Sequence, residues 1–296
     1  GNVVGVHNGI IENYQELKAE LEAKGYIFHS ETDTETVAHL IDDYYKQGLD
    51  LLESVRRTLE RIEGSYALGV LCTDYPDQLI AARKESPLIV GLGKNENFIA
   101  SDIPAILTYT KDAYILGDKE LAVVKADGVK IYDINGNEIQ KEVYTYKWDV
   151  EAAQKNGYDH FMLKEIYEQP KVVKDNLAKR FSEDGKSIEL DGIKLGKAEL
   201  ENINQIYIVA CGTAYYAGLI GKYLLERIVR IPVNSDVASE FRYKDPLIDE
   251  HTLVIVISQS GETADTHSAL KLAKSKGARV LGVVNAVGSS IARDAD

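Results

Sequence analysis

The sequence predicts two domains of different class, an α+β domain over residues 1–150 and an α/β domain with a doubly wound parallel sheet over 197–296, joined by a connection at 151–196. Three observations predict this. Amphipathic helical patterns are grouped before Ser65 and short strands follow them, the order of a layered α+β domain. The hairpin dipeptides Asp127-Gly128 and Asn135-Gly136 lie between apolar runs and join them as antiparallel strands. From residue 197 onward, unbroken apolar strands are spaced by helices, as in a parallel sheet covered on both faces.

In the first domain, Asn13–Lys24 carries Leu17, Leu21 and Ala23 among charged residues, and Gly25 ends that helix. Thr32-Asp33-Thr34-Glu35 has capping-box spacing and predicts a second helix through Val37, Leu40 and Ile41. A third runs from Asp50 to Ile62 and stops at Gly64. Strands are expected at Tyr66–Cys72, Gln78–Arg83, Leu88–Val90, Phe98–Ala100, Leu121–Val124, Val129–Tyr132 and Glu138–Val143. Residues 144–160, which hold the single tryptophan, Trp148, read as a polar connection. A helix at Met162–Phe181 should be kinked or restarted by Pro170, and Ser182–Gly196 reads as a charged loop. The last domain alternates a strand at Ile206–Ala210, a helix at Tyr215–Ile228, and an edge strand at Ile231–Val233. A buried strand at Leu253–Ile257, a helix ending at Lys276 and a strand at Val280–Val284 follow.

Composition bounds the function. Of 296 residues, 45% are hydrophobic and 27% charged, as in a globular protein. No run of about 18 apolar residues is present, so no membrane-crossing helix is expected. No basic-then-apolar leader opens the chain. The net charge of −13 repels a nucleic-acid backbone, and any bound phosphate needs a local cradle. Cys72 and Cys211 lie far apart and read as structural, which fits a reducing, cytoplasmic setting. His7, His29, His39, His160, His251 and His267 make no metal-ligand spacing, and all but His7 read as surface or domain-contact residues. The single methionine is Met162 and the chain stops just past a strand-to-helix junction, so a piece cut at both ends is expected.

The sharpest motif is Ser258-Gln259-Ser260-Gly261-Glu262-Thr263, between a buried strand and a helix. Ligands of open parallel sheets bind beyond the carboxyl ends of the strands, and a helix start there offers N–H groups and positive potential to a phosphate. The loop has hydroxyls but no lysine, so it is not a nucleotide P-loop. A hydroxyl-rich helix cap is the plainer alternative. Cys211-Gly212-Thr213, after the preceding long strand, would converge on the same crevice.

These motifs resemble the first sugar isomerase (SIS) domain of the glutamine–fructose-6-phosphate aminotransferases, as does Val237-Ala-Ser-Glu-Phe241. Met162-Leu-Lys-Glu-Ile-Tyr-Glu-Gln-Pro170 is similar to that family's junction into its isomerase half. His7-Asn-Gly-Ile-Ile-Glu-Asn13 and Ser30-Glu-Thr-Asp-Thr-Glu35 resemble its N-terminal-nucleophile (Ntn) glutaminase domain. The resemblance implies an Ntn glutaminase-type α+β domain lacking its first strands, then a SIS domain incomplete at its C-terminus. Asn8 and Gly9 would form an oxyanion hole, although alone they read as a plain turn. Asp33 would take the α-amino group of glutamine, with helix capping beside Thr32 as its alternative role. Thr213, Ser258, Gln259, Ser260 and Thr263 would hold the sugar phosphate.

One departure is Ala214, at a position often serine in the family. Gly1 is not the family's nucleophilic cysteine, so the nucleophile, the second SIS domain and the C-terminal tail are expected to lie outside this chain. The implied partners are L-glutamine and D-fructose 6-phosphate, with no metal or organic cofactor, no nucleic acid and no membrane, in a homodimer of the intact protein. Two alternatives stay open: a related amidotransferase acting on another phosphosugar, and a non-catalytic phosphosugar sensor.

Overall fold

The computed structural model describes residues 2–146, 155–178, 180–182, 184–188, 190, 192–193 and 195–296. The chain forms two compact units, Gly1–Gln154 and Lys155–Asp296. The expected boundary near 150 and Trp148 lie outside the described residues.

The first unit opens with a strand, β1 (Val3–Ile11), where the sequence suggested only a turn at Asn8-Gly9. Helices α1 (Tyr14–Ala23), α2 (Asp33–Lys46) and α3 (Leu51–Arg61) follow. Then come β2 (Gly64–Cys72), β3 (Gln78–Lys84), β4 (Ile89–Leu92), β5 (Asn97–Ala100) and a 3-10 turn at Ile103–Ala105. The unit continues with β6 (Asp112–Ile115), β7 (Glu120–Lys125), β8 (Gly128–Tyr132), β9 (Glu138–Ile139) and β10 (Tyr144–Thr145). Strands β6 and β10 were not expected, and the strand foreseen at Glu138–Val143 is cut to β9.

Strands β1-β2-β3-β7-β8-β9 make one antiparallel sheet, and β10-β6-β4-β5 make a second. Leu17, Leu21, Leu40, Ile41, Val55 and Leu59 of the helices pack on Tyr66, Leu68 and Ile80 of the larger sheet. Its other face meets the smaller sheet through Ala67, Ala81, Val90 and Ala122. The layers are therefore helix, sheet, sheet, each with one apolar face to bury.

The second unit begins with α4 (Phe161–Ala178), which runs through Pro170 without ending. Proline removes one backbone bond, to the Ile166 carbonyl; Ile166 is exposed, so water can take that bond. After α5 (Lys197–Glu201) come β11 (Gln205–Ala210), α6 (Gly212–Val229), β12 (Val233–Val237) and α7 (Ala238–Tyr243). The chain closes with β13 (Thr252–Ser258), α8 (Ala264–Ser275), β14 (Arg279–Val284) and α9 (Ser290–Asp294). All pairs in the sheet β12-β11-β13-β14 are parallel, with β12 at an edge but beginning at Val233 rather than Ile231. Phe241 of α7, Ala269, Leu270 and Ala273 of α8 and Ile291 of α9 cover one face. Leu225 of α6 packs with Ile206, Ile208 and Val233 on the other, which makes the sheet doubly wound.

Candidate functional site

In the first unit the candidate residues hang on β1, the edge strand of its sheet. Asn8 and Gly9 pair with Ala67 and Tyr66 of β2. Asn8 is exposed and, with Ala67, Leu88, Ile99 and Ser101, lines an open cleft of about 220 Å³. Gly9 has φ +135°, and a β-carbon there would lie 2.1 Å from the Ser65 carbonyl oxygen. Gly64 answers it from β2: at φ +102°, its β-carbon would lie 2.2 Å from the Ile10 carbonyl oxygen. Only glycine fits either position.

Asp33 begins α2, yet its carboxylate does not serve that helix. Its Oδ2 accepts the backbone N–H of Ile11 at 2.8 Å, which binds the helix start to β1. The capping box also fails to form. Thr32 occupies the N-cap with no side-chain capping bond, and Glu35 instead accepts N–H groups of His29 and Ser30, each at 2.7 Å, and the Ser30 hydroxyl at 2.6 Å. The Ser30 hydroxyl, with the His29 amide, holds the Glu35 carboxyl down at about 2. The loop before α2 is thus folded onto its first turn, and Asp33 keeps a side chain 23% exposed.

His7 is the residue that sequence reasoning underused. Its side chain is only 1% exposed, Nδ1 lies 3.2 Å from the Thr34 hydroxyl and 3.8 Å from Asp33 Oδ1, and Nε2 is buried without a partner. No spacing rule links positions 7 and 34; only the docking of α2 on β1 does. His267 also departs from the surface assignment, since it is buried and bonds Asp294 at 2.6 Å. Cys72 sits in the helix-facing core at the opposite end of the β1–β2 ladder from Asn8, paired with Val3. Among the described residues, no group of three His, Cys, Asp or Glu could hold a metal ion.

In the second unit Ala210 pairs with Ile257, so the loops starting at Cys211 and Ser258 leave the sheet side by side. The two neighbourhoods also touch through Thr266 Oγ1 and Cys211 Sγ, 3.9 Å apart. Ser258 is buried, and its hydroxyl lies 2.9 Å from Thr263 Oγ1 while accepting the Gly261 N–H at 3.0 Å. The Ser260 hydroxyl accepts the Glu262 N–H at 3.2 Å. Ser258 and Ser260 therefore shape the loop as well as lining it. Gln259 and Thr213 are exposed, and Ser260 and Thr263 are half-buried at the mouth.

Thr263 stands at the N-cap of α8 and Cys211 at that of α6, and neither makes a side-chain capping bond. The plain helix-cap role for the hydroxyls is not what the structure shows. Two helices, of 12 and 18 residues, begin side by side with first-turn N–H groups that no side chain caps. Such starts suit an anion. Ala214, inside the first turn of α6, adds no hydroxyl.

Comparison with known proteins gives the same division. Residues 1–108 match the glutamine amidotransferase domain and 199–296 the SIS domain. Over all 296 residues the chain is 60% identical to "Glutamine--fructose-6-phosphate aminotransferase [isomerizing]" of Clostridium tetani, covering 48% of that protein. The chain is similar along its whole length to glutamine–fructose-6-phosphate aminotransferases. A relative of the same name from Caldanaerobacter subterraneus is 59% identical over 296 residues, again with 100% of this chain and 48% of the relative covered. One from Clostridium perfringens is 57% identical over 291 residues, covering 98% of this chain and 47% of the relative. The chain thus spans about half the length of the curated relatives it matches. The α+β unit thus carries a glutamine amidotransferase domain and the parallel-sheet unit a SIS domain.

Proposed function

We propose that in the intact protein this chain helps transfer ammonia from L-glutamine to D-fructose 6-phosphate, with isomerisation to D-glucosamine 6-phosphate. The observation that carries the reading is the pair of uncapped helix starts at the carboxyl ends of β11 and β13, behind a loop of hydroxyls, in a chain that also carries an amidotransferase domain.

In the first domain, the Asn8 side-chain amide and the Gly9 N–H would donate to the tetrahedral oxyanion formed when a thiol attacks the glutamine amide. Asp33, tied to β1 and partly open to solvent, would take the substrate's ammonium group. In the second, Thr213, Gln259, Ser260 and Thr263 would hold the sugar phosphate, with Ser258 setting the loop. This chemistry calls for no metal or organic cofactor. Exposed Tyr216, Ile220, Tyr223 and Leu224 on α6 support a homodimer built through the isomerase half. Free Cys72 and Cys211 support a cytoplasmic setting, and among the described residues no helix is long and apolar enough to cross a membrane.

Titration of fructose 6-phosphate into Ser260→Ala and Thr263→Val, alongside melting curves, tests the cradle. Affinity should fall about 10- to 100-fold as hydrogen bonds to a charged group are lost. Normal affinity in both variants would sink it. A sensor of phosphosugars would bind equally well, but it has no use for the oxyanion segment of the first domain.

A further inference from the structure

We propose that Glu262 is a positioning residue of the phosphosugar site, its carboxylate turned from the crevice to pin loop Ser258–Thr263 to the start of α9. The inference rests on the phosphosugar reading above. A carboxylate within a loop that takes a phosphate repels its ligand unless it is held away. Here Glu262 Oε1 accepts the backbone N–H of Ser290 at 2.8 Å. The residue is held at both ends, because its own N–H donates to the Ser260 hydroxyl. Moving Glu262 therefore also frees a hydroxyl of the cradle.

The turn after β14 braces the same loop through its backbone. The Gly261 carbonyl accepts from Ile291 N–H at 3.0 Å, and the Gln259 carbonyl from Asn285 and Ala286 N–H at 3.2 Å each. The brace is dry: Ser289 and Ser290 are 5% exposed and Ile291 0%. Gly261, at φ +68°, is seated against Ser289, whose hydroxyl would lie 1.9 Å from a β-carbon at that position. Among these ties the Glu262 bond is the charge-assisted one, and the one that a side-chain change can remove.

Glu262→Ala, Glu262→Gln and Ser290→Pro in the 296-residue chain test the proposal. Proline suits the first position of a helix, and Ser289 already has the extended backbone, φ −67° and ψ 165°, that a following proline requires. E262A and S290P should each speed amide exchange across Gly261–Thr263 and at Ile291 about tenfold or more. Each should weaken fructose 6-phosphate binding about five- to twenty-fold, with the double variant no weaker than either single one. E262Q, whose amide oxygen still accepts, should stay within about twofold of the parent. Unchanged exchange in E262A would overturn the pin. Faster exchange with parental sugar-phosphate affinity, or additive losses in the double variant, would overturn the positioning role. A parent chain that fails to bind fructose 6-phosphate would overturn the phosphosugar reading, while the exchange comparison still decides whether Glu262 holds the loop.

Discussion

In the glutamine amidotransferase unit the candidate residues meet across the sequence: Asp33 reaches Ile11 from 22 positions away, and His7 reaches Thr34 across 27. In the SIS unit the central contacts lie within one loop, Ser258 to Thr263 being five positions apart. The first arrangement depends on a helix docking correctly on an edge strand; the second depends on a strand-to-helix junction that forms wherever the parallel sheet forms. Damage should therefore spread differently. A change in the first unit perturbs fold and site together, whereas loss of the half-buried Ser260 or Thr263 hydroxyl in the second is separable from stability.

The sharpest way to break this contrast is to look for glutamine hydrolysis by the 296-residue chain itself. None is expected, because Cys72 lies at the far end of the ladder and Cys211 belongs to the other unit. Glutamate production above a buffer blank would show that one of these thiols reaches Asn8. In the proposed intact enzyme, Asn8→Ala should lower hydrolysis about 100- to 1,000-fold, the typical loss for one oxyanion donor. Its affinity for fructose 6-phosphate should not change; a shift would mean the two sites are not independent.

Smaller effects compare the two crowded glycines. Gly9→Ala should destabilise the first unit by about 2–4 kcal/mol, since the obstacle is a backbone carbonyl in a ladder. Gly261→Ala should cost about 1–3 kcal/mol and be partly restored by Ser289→Gly, because there the obstacle is a side chain. Equal losses with no restoration would erase the distinction. The mildest probe is acid. Glu20, bonded to Arg61 and Lys24, and Glu35, bonded to Ser30 and His29, both have carboxyls lowered from 4.5 to about 2. A lowered folded pKa contributes stability above the unfolded value, which is lost as pH falls from about 4.5 toward 2. Over that window the first unit should melt before the second, and Glu35→Gln should flatten its pH dependence. Melting in the reverse order would point to other carboxylates.

The same contrast decides what could be read in the sequence. The proposed SIS cradle was legible because strand, loop and helix start are contiguous, and three of the four parallel strands, β11, β13 and β14, read as apolar runs. Strand β1 was not, because Asn-Gly is also a turn signal and only pairing with β2 decides between them. The capping box was misread for a related reason: Glu35 had nearer donors in His29 and Ser30 than the Thr32 amide, and local spacing does not reveal competitors. Asp33 and the residues of the Ser258–Thr263 loop were proposed from motifs. The contacts of Glu262 with Ser290 and of His7 with Thr34 depend on elements far along the chain.

The facing glycines of β1 and β2 have one more consequence, for how the chain finds its alignment. A sheet edge can ordinarily slip by one residue, which turns every side chain to the wrong face. Here a slip in either direction would push Asn8 or Ile10 against the carbonyl that Gly9 clears, and Ser65 or Glu63 against the one that Gly64 clears. The backbone seen at Gly9 and Gly64 can therefore form only in the observed register. The proposed oxyanion segment is thereby indexed like a key with two matching notches, and its chemistry inherits a frame that the hydrophobic pattern alone would not guarantee.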